Sequence, residues 1–117
     1  MTQLTIAREG AISDEMRRAA AIDGVDAEQL RQSIAAGRAC LPANHNRTRR
    51  RPCAIGEGLH TKVNANIGTS GDYADLDKEL AKLAAAEEAG ADTLMDLSTG
   101  GDLEVIRQAI LDAAAVP

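Results

Sequence analysis

"KVNANIGTS", residues 62–70, is the stretch on which the fold turns. Lys62, Asn64 and Asn66 alternate with Val63, Ala65 and Ile67. A period of two marks a strand, because successive strand side chains point to opposite faces. One face of this strand therefore carries an ammonium group and two amides, while the other is apolar. A strand packed between two apolar layers would not be written this way. Its polar face has to meet something other than a hydrocarbon core.

The segments that follow keep strict alternation of element type. Asp72 is read as the N-cap of a helix over 73–89 whose buried face is Tyr73, Leu76, Leu80 and Leu83, with Gly90 after its end. A second strand covers 93–97. A second helix covers 103–114, with Asp102 as its N-cap and Leu103, Ile106 and Ile110 on its inner face. The two strands start about 30 residues apart, the spacing of a βαβ unit. Two parallel strands are marginal alone, and parallel sheets are normally covered on both faces. Val116-Pro117 falls where a third strand would begin. The expected class is α/β, the opening of a longer repeating βα structure that this chain leaves incomplete.

Upstream of the opening strand the pattern is helical. Ser13 precedes Asp14 and Glu15, an N-cap with first-turn acids, and Met16, Ala19 and Ala20 form a weak apolar stripe. Asp26 and Gln29 have capping-box spacing, Leu30 and Ile34 continue one face, and Gly37 stops the helix. From 39 to 58 no period of 2 or 3.6 is found, and "PANHNRTRRRPC" reads as an extended connecting loop. Two parts are expected: a helical segment with its connecting loop at 1–58, and the βαβα portion at 59–117.

Composition narrows the function classes. A net charge of −5 opposes general nucleic-acid binding, which needs a basic footprint. No apolar run approaches the roughly 20 residues that span a bilayer, and "MTQLTIAREG" lacks the features of a secretory signal. A cytoplasmic location is expected, with Cys40 and Cys53 as free thiols. The chain has no Trp or Phe, and Tyr73 is its only aromatic. Aromatics bring roughly 150–250 Å² of burial each, so a free-standing core would be thin. An oligomeric, partly disordered or partner-dependent chain is the expectation.

In α/β barrels and doubly wound sheets, functional groups collect at the C-terminal ends of the strands. Asn64 and Asn66 lie near the end of the first strand; Met95, Asp96 and Ser98 lie near the end of the second. Amides both donate and accept, which suits a heterocycle or a sugar hydroxyl. The bland alternative is that they satisfy backbone groups at a strand end. "STGGD" at 98–102 leads into a helix N-terminus, a geometry that serves anions but also ordinary turns. Arg47, Arg49, Arg50 and Arg51 form a basic run that reads as solvated loop surface, with an anionic partner as the alternative. "GEGLHTK" lacks phosphate-loop spacing. His45 and His60 are not spaced as a metal pair, and two cysteines cannot supply the usual four thiolates of an iron–sulfur cluster.

"IGEGLHTKVNANIGTS" at 55–70 and "GADTLMDLSTGGDLEVIRQAIL" at 90–111 resemble the phosphomethylpyrimidine synthase family of thiamine biosynthesis, with support from "AREGAISDEM" at 7–16 and "AAGRACLPAN" at 35–44. The resemblance runs in order along nearly the whole chain. It implies a radical S-adenosylmethionine lyase that converts 5-aminoimidazole ribonucleotide to 4-amino-5-hydroxymethyl-2-methylpyrimidine phosphate. The implied fold is a (β/α)8 barrel behind an N-terminal segment, as a homodimer, of which this chain would supply the first two βα units. Asn66 and Met95 correspond to substrate-binding positions of the family; Asn64, Lys62, Asp96 and Ser98 are further candidates. The family also uses a [4Fe-4S] cluster, S-adenosylmethionine and a divalent metal, zinc. The resemblance places the cluster cysteines and the metal-binding histidines downstream of this sequence, so no catalytic or metal ligand is assigned here. The chain alone is expected to be inactive. Two alternatives stay open: the related 5-hydroxybenzimidazole synthase, which uses the same substrate for a cobalamin ligand, and a non-catalytic remnant or one piece of a split enzyme.

Overall fold

Short polar side chains set where the helices begin. The computed structural model describes residues 1–44, 46 and 51–117. Helix α1 (Gln3–Arg8) is capped by Thr2, whose hydroxyl accepts from the Thr5 N–H. Helix α2 (Asp14–Asp23) starts at Ser13, which accepts the Met16 N–H at 3.1 Å. Helix α3 (Ala27–Ala35) starts at Asp26, whose carboxylate accepts from both Glu28 and Gln29. Each cap occupies a first-turn N–H that has no partner inside its helix. Gly37 follows α3 in the left-handed region, as expected for a helix stop.

Strand β1 (Ala39–Cys40) then pairs antiparallel with strand β2 (Ile55–Gly56), in the register Ala39 with Gly56 and Cys40 with Ile55. The segment read as an extended loop is thus closed at its base by a two-residue ladder. A ladder this short carries no periodicity for sequence reading to detect. His45 and, in the basic run, Arg47, Arg49 and Arg50 lie outside the described residues.

These elements form one compact unit, Met1–Thr61. Its core joins Met16, Leu30, Ile34 and Leu41 with five buried alanines, Ala7, Ala19, Ala20, Ala39 and Ala54. Alanine lets the helices approach closely but buries little area per residue, so the four larger side chains carry most of the hydrophobic gain, about 1.5–3 kcal/mol each. Cys53 is buried and Cys40 exposed, and no disulfide joins them.

The second unit, Lys62–Pro117, is the βαβα portion. Strand β3 (Asn64–Ile67) leads to helix α4 (Leu76–Glu88), then strand β4 (Thr93–Asp96) and helix α5 (Leu103–Ala113). The strands are parallel, with Asn64 opposite Thr93, Asn66 opposite Met95, and Ile67 opposite Asp96. Ile67 packs with Leu83, Ile106 and Ile110, flanked by Leu76, Leu80 and Leu94. Both helices therefore cover the same face of the pair. The opposite face keeps Asn64, Asn66 and Met95 exposed.

The Thr93 and Leu97 N–H groups donate toward β3, to Val63 O and Ile67 O. The Leu94 N–H turns the other way and donates to Pro117 O at 2.9 Å, so the segment after α5 lies along the far edge of β4. Val116 is buried beside it, and Glu87 Oε1 accepts from the Ala115 and Val116 N–H groups.

Three sequence expectations are corrected in this unit. Helix α4 begins at Leu76 with Asp75 as its cap, not at Tyr73 after Asp72. Ser70 and Tyr73 exchange backbone hydrogen bonds of 2.9 and 3.2 Å, closing a turn that holds Tyr73 outside the helix. Its ring is half exposed and lies 5.2 Å from Lys78 Nζ, a cation–π contact at the surface. Leu103 is also exposed, because the first residue of α5 projects past the core built on Ile106 and Ile110. Lys62 precedes β3, so it does not stand on the strand ladder with Asn64 and Asn66.

Candidate functional site

The open face of β3 and β4 carries a connected row of polar groups. Thr93 Oγ1 donates to Asn64 Oδ1 at 2.8 Å, and Asn64 Nδ2 donates to Asn66 Oδ1 at 2.9 Å. Asn66 stands directly opposite Met95 in the parallel register, and both side chains are exposed. Alternation along each strand creates this group: Asn64 and Asn66 share a face at positions i and i+2, and the register brings Thr93 and Met95 beside them. An amide donor next to a thioether gives the strand ends one polar and one apolar contact.

Beyond the strands, the two turns are laced together. Thr69 Oγ1 donates to Gly100 O at 2.6 Å, and the Thr99 N–H donates to Thr69 O at 2.9 Å. The Thr69 N–H donates to Ser98 Oγ at 3.1 Å, and Ser98 Oγ in turn donates to Asp96 Oδ1. The turns run so close that a Cβ at Gly100 would fall 1.9 Å from Ser70 O. Glycine is required there by space alone.

On the helix side, Glu79 is buried in α4 and accepts the Gly68 N–H at 2.8 Å. Lys82 neutralises it and donates to Gly68 O at 3.3 Å. The turn after β3 is thus held from both sides.

Among the candidate residues, the structure brings Asn64, Asn66 and Met95 into one cluster. Asp96 stands opposite Ile67 in the register, on the other face, and is engaged by the Ser98 N–H and hydroxyl. These two close the end of β4 and buttress Thr69 rather than standing beside Asn66. In the "STGGD" turn, the Gly100 N–H is directed at Thr69 Oγ1, and Asp102 occupies the Glu104 and Val105 N–H groups. The donors that would greet an anion are largely taken within the chain.

A model of the radical SAM ThiC family matches residues 2–117. The chain belongs to that family. Among curated relatives of the radical SAM ThiC family, a phosphomethylpyrimidine synthase of Desulfitobacterium hafniense is 53% identical over 116 residues, covering 99% of this chain and 27% of the relative. One from Thermotoga petrophila is 51% identical, covering 100% of this chain and 28% of the relative. A 5-hydroxybenzimidazole synthase of Geobacter metallireducens is 50% identical, covering 99% and 26%. The chain spans about a quarter of the length of the curated relatives it matches.

The radical SAM chemistry in the family name implies an iron–sulfur cluster. The donor set for one is not found here: among the described residues, no group of three or more His, Cys, Asp or Glu could hold a metal ion. Cys40 is exposed at the end of β1, and Cys53 is buried in the segment before β2. His60 is paired with the buried Asp23. No helix among the described residues is long and apolar enough to cross a membrane.

Sequence reading missed Thr93, Thr69 and Glu79. Thr93 was legible only as a strand residue, and its bond to Asn64 depends on register. Glu79 lies in "DKELAK", where nothing local marks it as buried. Only the fold of the Gly68 turn over α4 makes it a core carboxylate.

Proposed function

We propose that this chain supplies part of the substrate site of a phosphomethylpyrimidine synthase. In this reading its βαβα unit forms the first two βα units of a (β/α)8 barrel, with the open face of β3 and β4 turned to the barrel interior. Asn66 and Met95 contact 5-aminoimidazole ribonucleotide at the strand ends, with Asn64 and Lys62 in support and Asp96 and Ser98 shaping the adjoining turn. The observation that carries this is the register pairing of Asn66 with Met95 on the uncovered face, at the C-terminal ends of parallel strands.

The chemistry divides accordingly. In the whole enzyme a [4Fe-4S] cluster with S-adenosylmethionine would supply the radical chemistry, and a divalent metal such as zinc would be a further requirement. The residues described here do not fit either group, so this chain's part is binding: the Asn66 amide offers hydrogen bonds and Met95 an apolar wall. In the same reading the whole enzyme works in the cytoplasm as a homodimer.

Titration of the isotope-labelled chain with 5-aminoimidazole ribonucleotide tests this. Shifts confined to residues 64–70 and 93–101, lost in Asn66→Ala, are expected. No perturbation at those residues overturns the reading. The 50% identity to a 5-hydroxybenzimidazole synthase favours one rival, a role in making that product from the same ribonucleotide. Mass analysis of the product made by the enzyme that carries this sequence separates pyrimidine from benzimidazole.

A further inference from the structure

Thr69, the second residue beyond β3, is 4% exposed and directs every polar group it has at the turn after β4. Its hydroxyl donates to Gly100 O at 2.6 Å and accepts from the Gly100 N–H at 3.4 Å. Its carbonyl accepts from the Thr99 N–H at 2.9 Å and from the Thr99 hydroxyl at 3.2 Å. Its own N–H donates to Ser98 Oγ at 3.1 Å. The chemistry fixes each direction, because a carbonyl only accepts and an N–H only donates. Thr69 thus continues the pairing of β3 with β4 past the bond from the Leu97 N–H to Ile67 O. The two backbones close on each other on both sides of it. A Cβ at Gly68 would fall 2.6 Å from Leu97 C, and one at Gly100 would run into the Ser70 carbonyl.

We propose that Thr69 is a positioning residue that makes the two strand-end turns, residues 68–70 and 98–101, one body, so that ordering either turn orders the other. Buried, with its hydroxyl proton given to Gly100, Thr69 acts through its neighbours rather than by touching a ligand. The functional consequence rests on the substrate reading above. A ribonucleotide at the ends of β3 and β4 then meets two strands whose spacing is already set, and its binding does not have to order each turn separately. Valine has nearly the shape of threonine but neither donates nor accepts, so it leaves the buried Gly100 N–H and C=O without their Thr69 partner. Serine keeps the hydroxyl.

Backbone amide exchange on the full chain, compared in wild type, Thr69→Val and Thr69→Ser, tests the joint without a ligand. In wild type the amides of Thr69, Thr99 and Gly100 are expected to lose protection along one line as urea is added, the sign of a single opening. In Thr69→Val the Thr99 and Gly100 amides are expected to exchange about three- to tenfold faster, while those of Thr93 and Leu94 keep their rates. Thr69→Ser is expected to restore the slow exchange. Independent openings of the two turns in wild type, or equal acceleration throughout the unit in Thr69→Val, overturn the proposal. The wild-type measurement decides even where Thr69→Val does not fold.

Titration with 5-aminoimidazole ribonucleotide reads the consequence. Under conditions where it is fully folded, Thr69→Val is expected to bind about three- to tenfold more weakly, with Thr69→Ser within about twofold of wild type. A role in stability alone would lower the unfolding midpoint and leave the affinity unchanged, and that result overturns the positioning role. If wild type itself fails to bind the ribonucleotide, the substrate reading falls, while the amide exchange still decides whether the two turns open as one.

Discussion

Glu79 and Gly68 are joined by a hydrogen bond of 2.8 Å in which a buried carboxylate accepts the amide of the first residue beyond β3. Lys82, half exposed, pairs with the same carboxylate and reaches Gly68 O, so one glycine is held at both its donor and its acceptor. Glu79→Ala leaves the Gly68 N–H unpaired and opens a void where the buried side chain stood, an expected cost of about 3 kcal/mol. Glu79→Gln keeps an acceptor for Gly68, and Lys82 can turn to water, so a smaller loss of about 1 kcal/mol is expected. Urea unfolding of the two variants checks the order; equal losses would show that the charge, not the acceptor, matters.

Gly100 and Gly71 make a matched pair for the turns. A Cβ at Gly100 meets Ser70 O at 1.9 Å and Ser70 C at 2.3 Å, both backbone atoms that cannot swing aside. A Cβ at Gly71 meets nothing within 4 Å. Gly100→Ala is expected to cost about 2–3 kcal/mol by forcing the turns apart, and Gly71→Ala to stay within about 0.5 kcal/mol. Thermal unfolding and the chemical shifts of Thr69 and Thr99 read both effects.

Asn66→Ala and Met95→Ala should separate binding from folding. Both side chains are exposed on the open face, so each substitution is expected to change stability by no more than about 1 kcal/mol. A loss of ribonucleotide binding with an unchanged unfolding midpoint is the predicted outcome. A large drop in the midpoint would instead make these residues part of the scaffold.

Acid stability should depend on Glu28. Hydrogen bonds from Arg31, then from Gln32, hold its carboxyl down from the usual 4.5 to about 2. A carboxylate whose pKa is lower in the folded state stabilises the fold fully above its unfolded value, and loses that contribution as pH falls through the folded value. The stability gap between wild type and Glu28→Gln is therefore expected to be constant above about pH 5 and to shrink between about pH 4.5 and 2. Denaturant midpoints across that range measure it; a gap independent of pH would mean that the pair contributes nothing through its charge.

The chain by itself is expected to release no 5′-deoxyadenosine from S-adenosylmethionine after iron–sulfur reconstitution. The family resemblance assigns the cluster cysteines to positions outside residues 1–117, in the part of the relatives that this chain does not span. Chromatographic detection of that nucleoside above a no-protein control would overturn the expectation.

Local chemistry determined a great deal. The caps at Ser13, Asp26 and Asp102, the stops at Gly37 and Gly90, and the strand–helix–strand–helix order all follow from side chains acting on their own neighbourhood. Alternation alone put Asn64 and Asn66 on one polar face. Periodicity failed where a turn competed with it: Tyr73 satisfied the helical pattern, but its backbone pairs with Ser70 and leaves Asp75 to begin the helix.

What tertiary structure decided is which distant residues meet. Register across some 30 residues of sequence set Asn66 against Met95 and Thr93 against Asn64, and folding of the Gly68 turn onto α4 made Glu79 a buried anchor. No local rule carries that information. A hydrogen bond between strands depends on which residues the crossover helix brings opposite each other, and the burial of a charge depends on what packs over it.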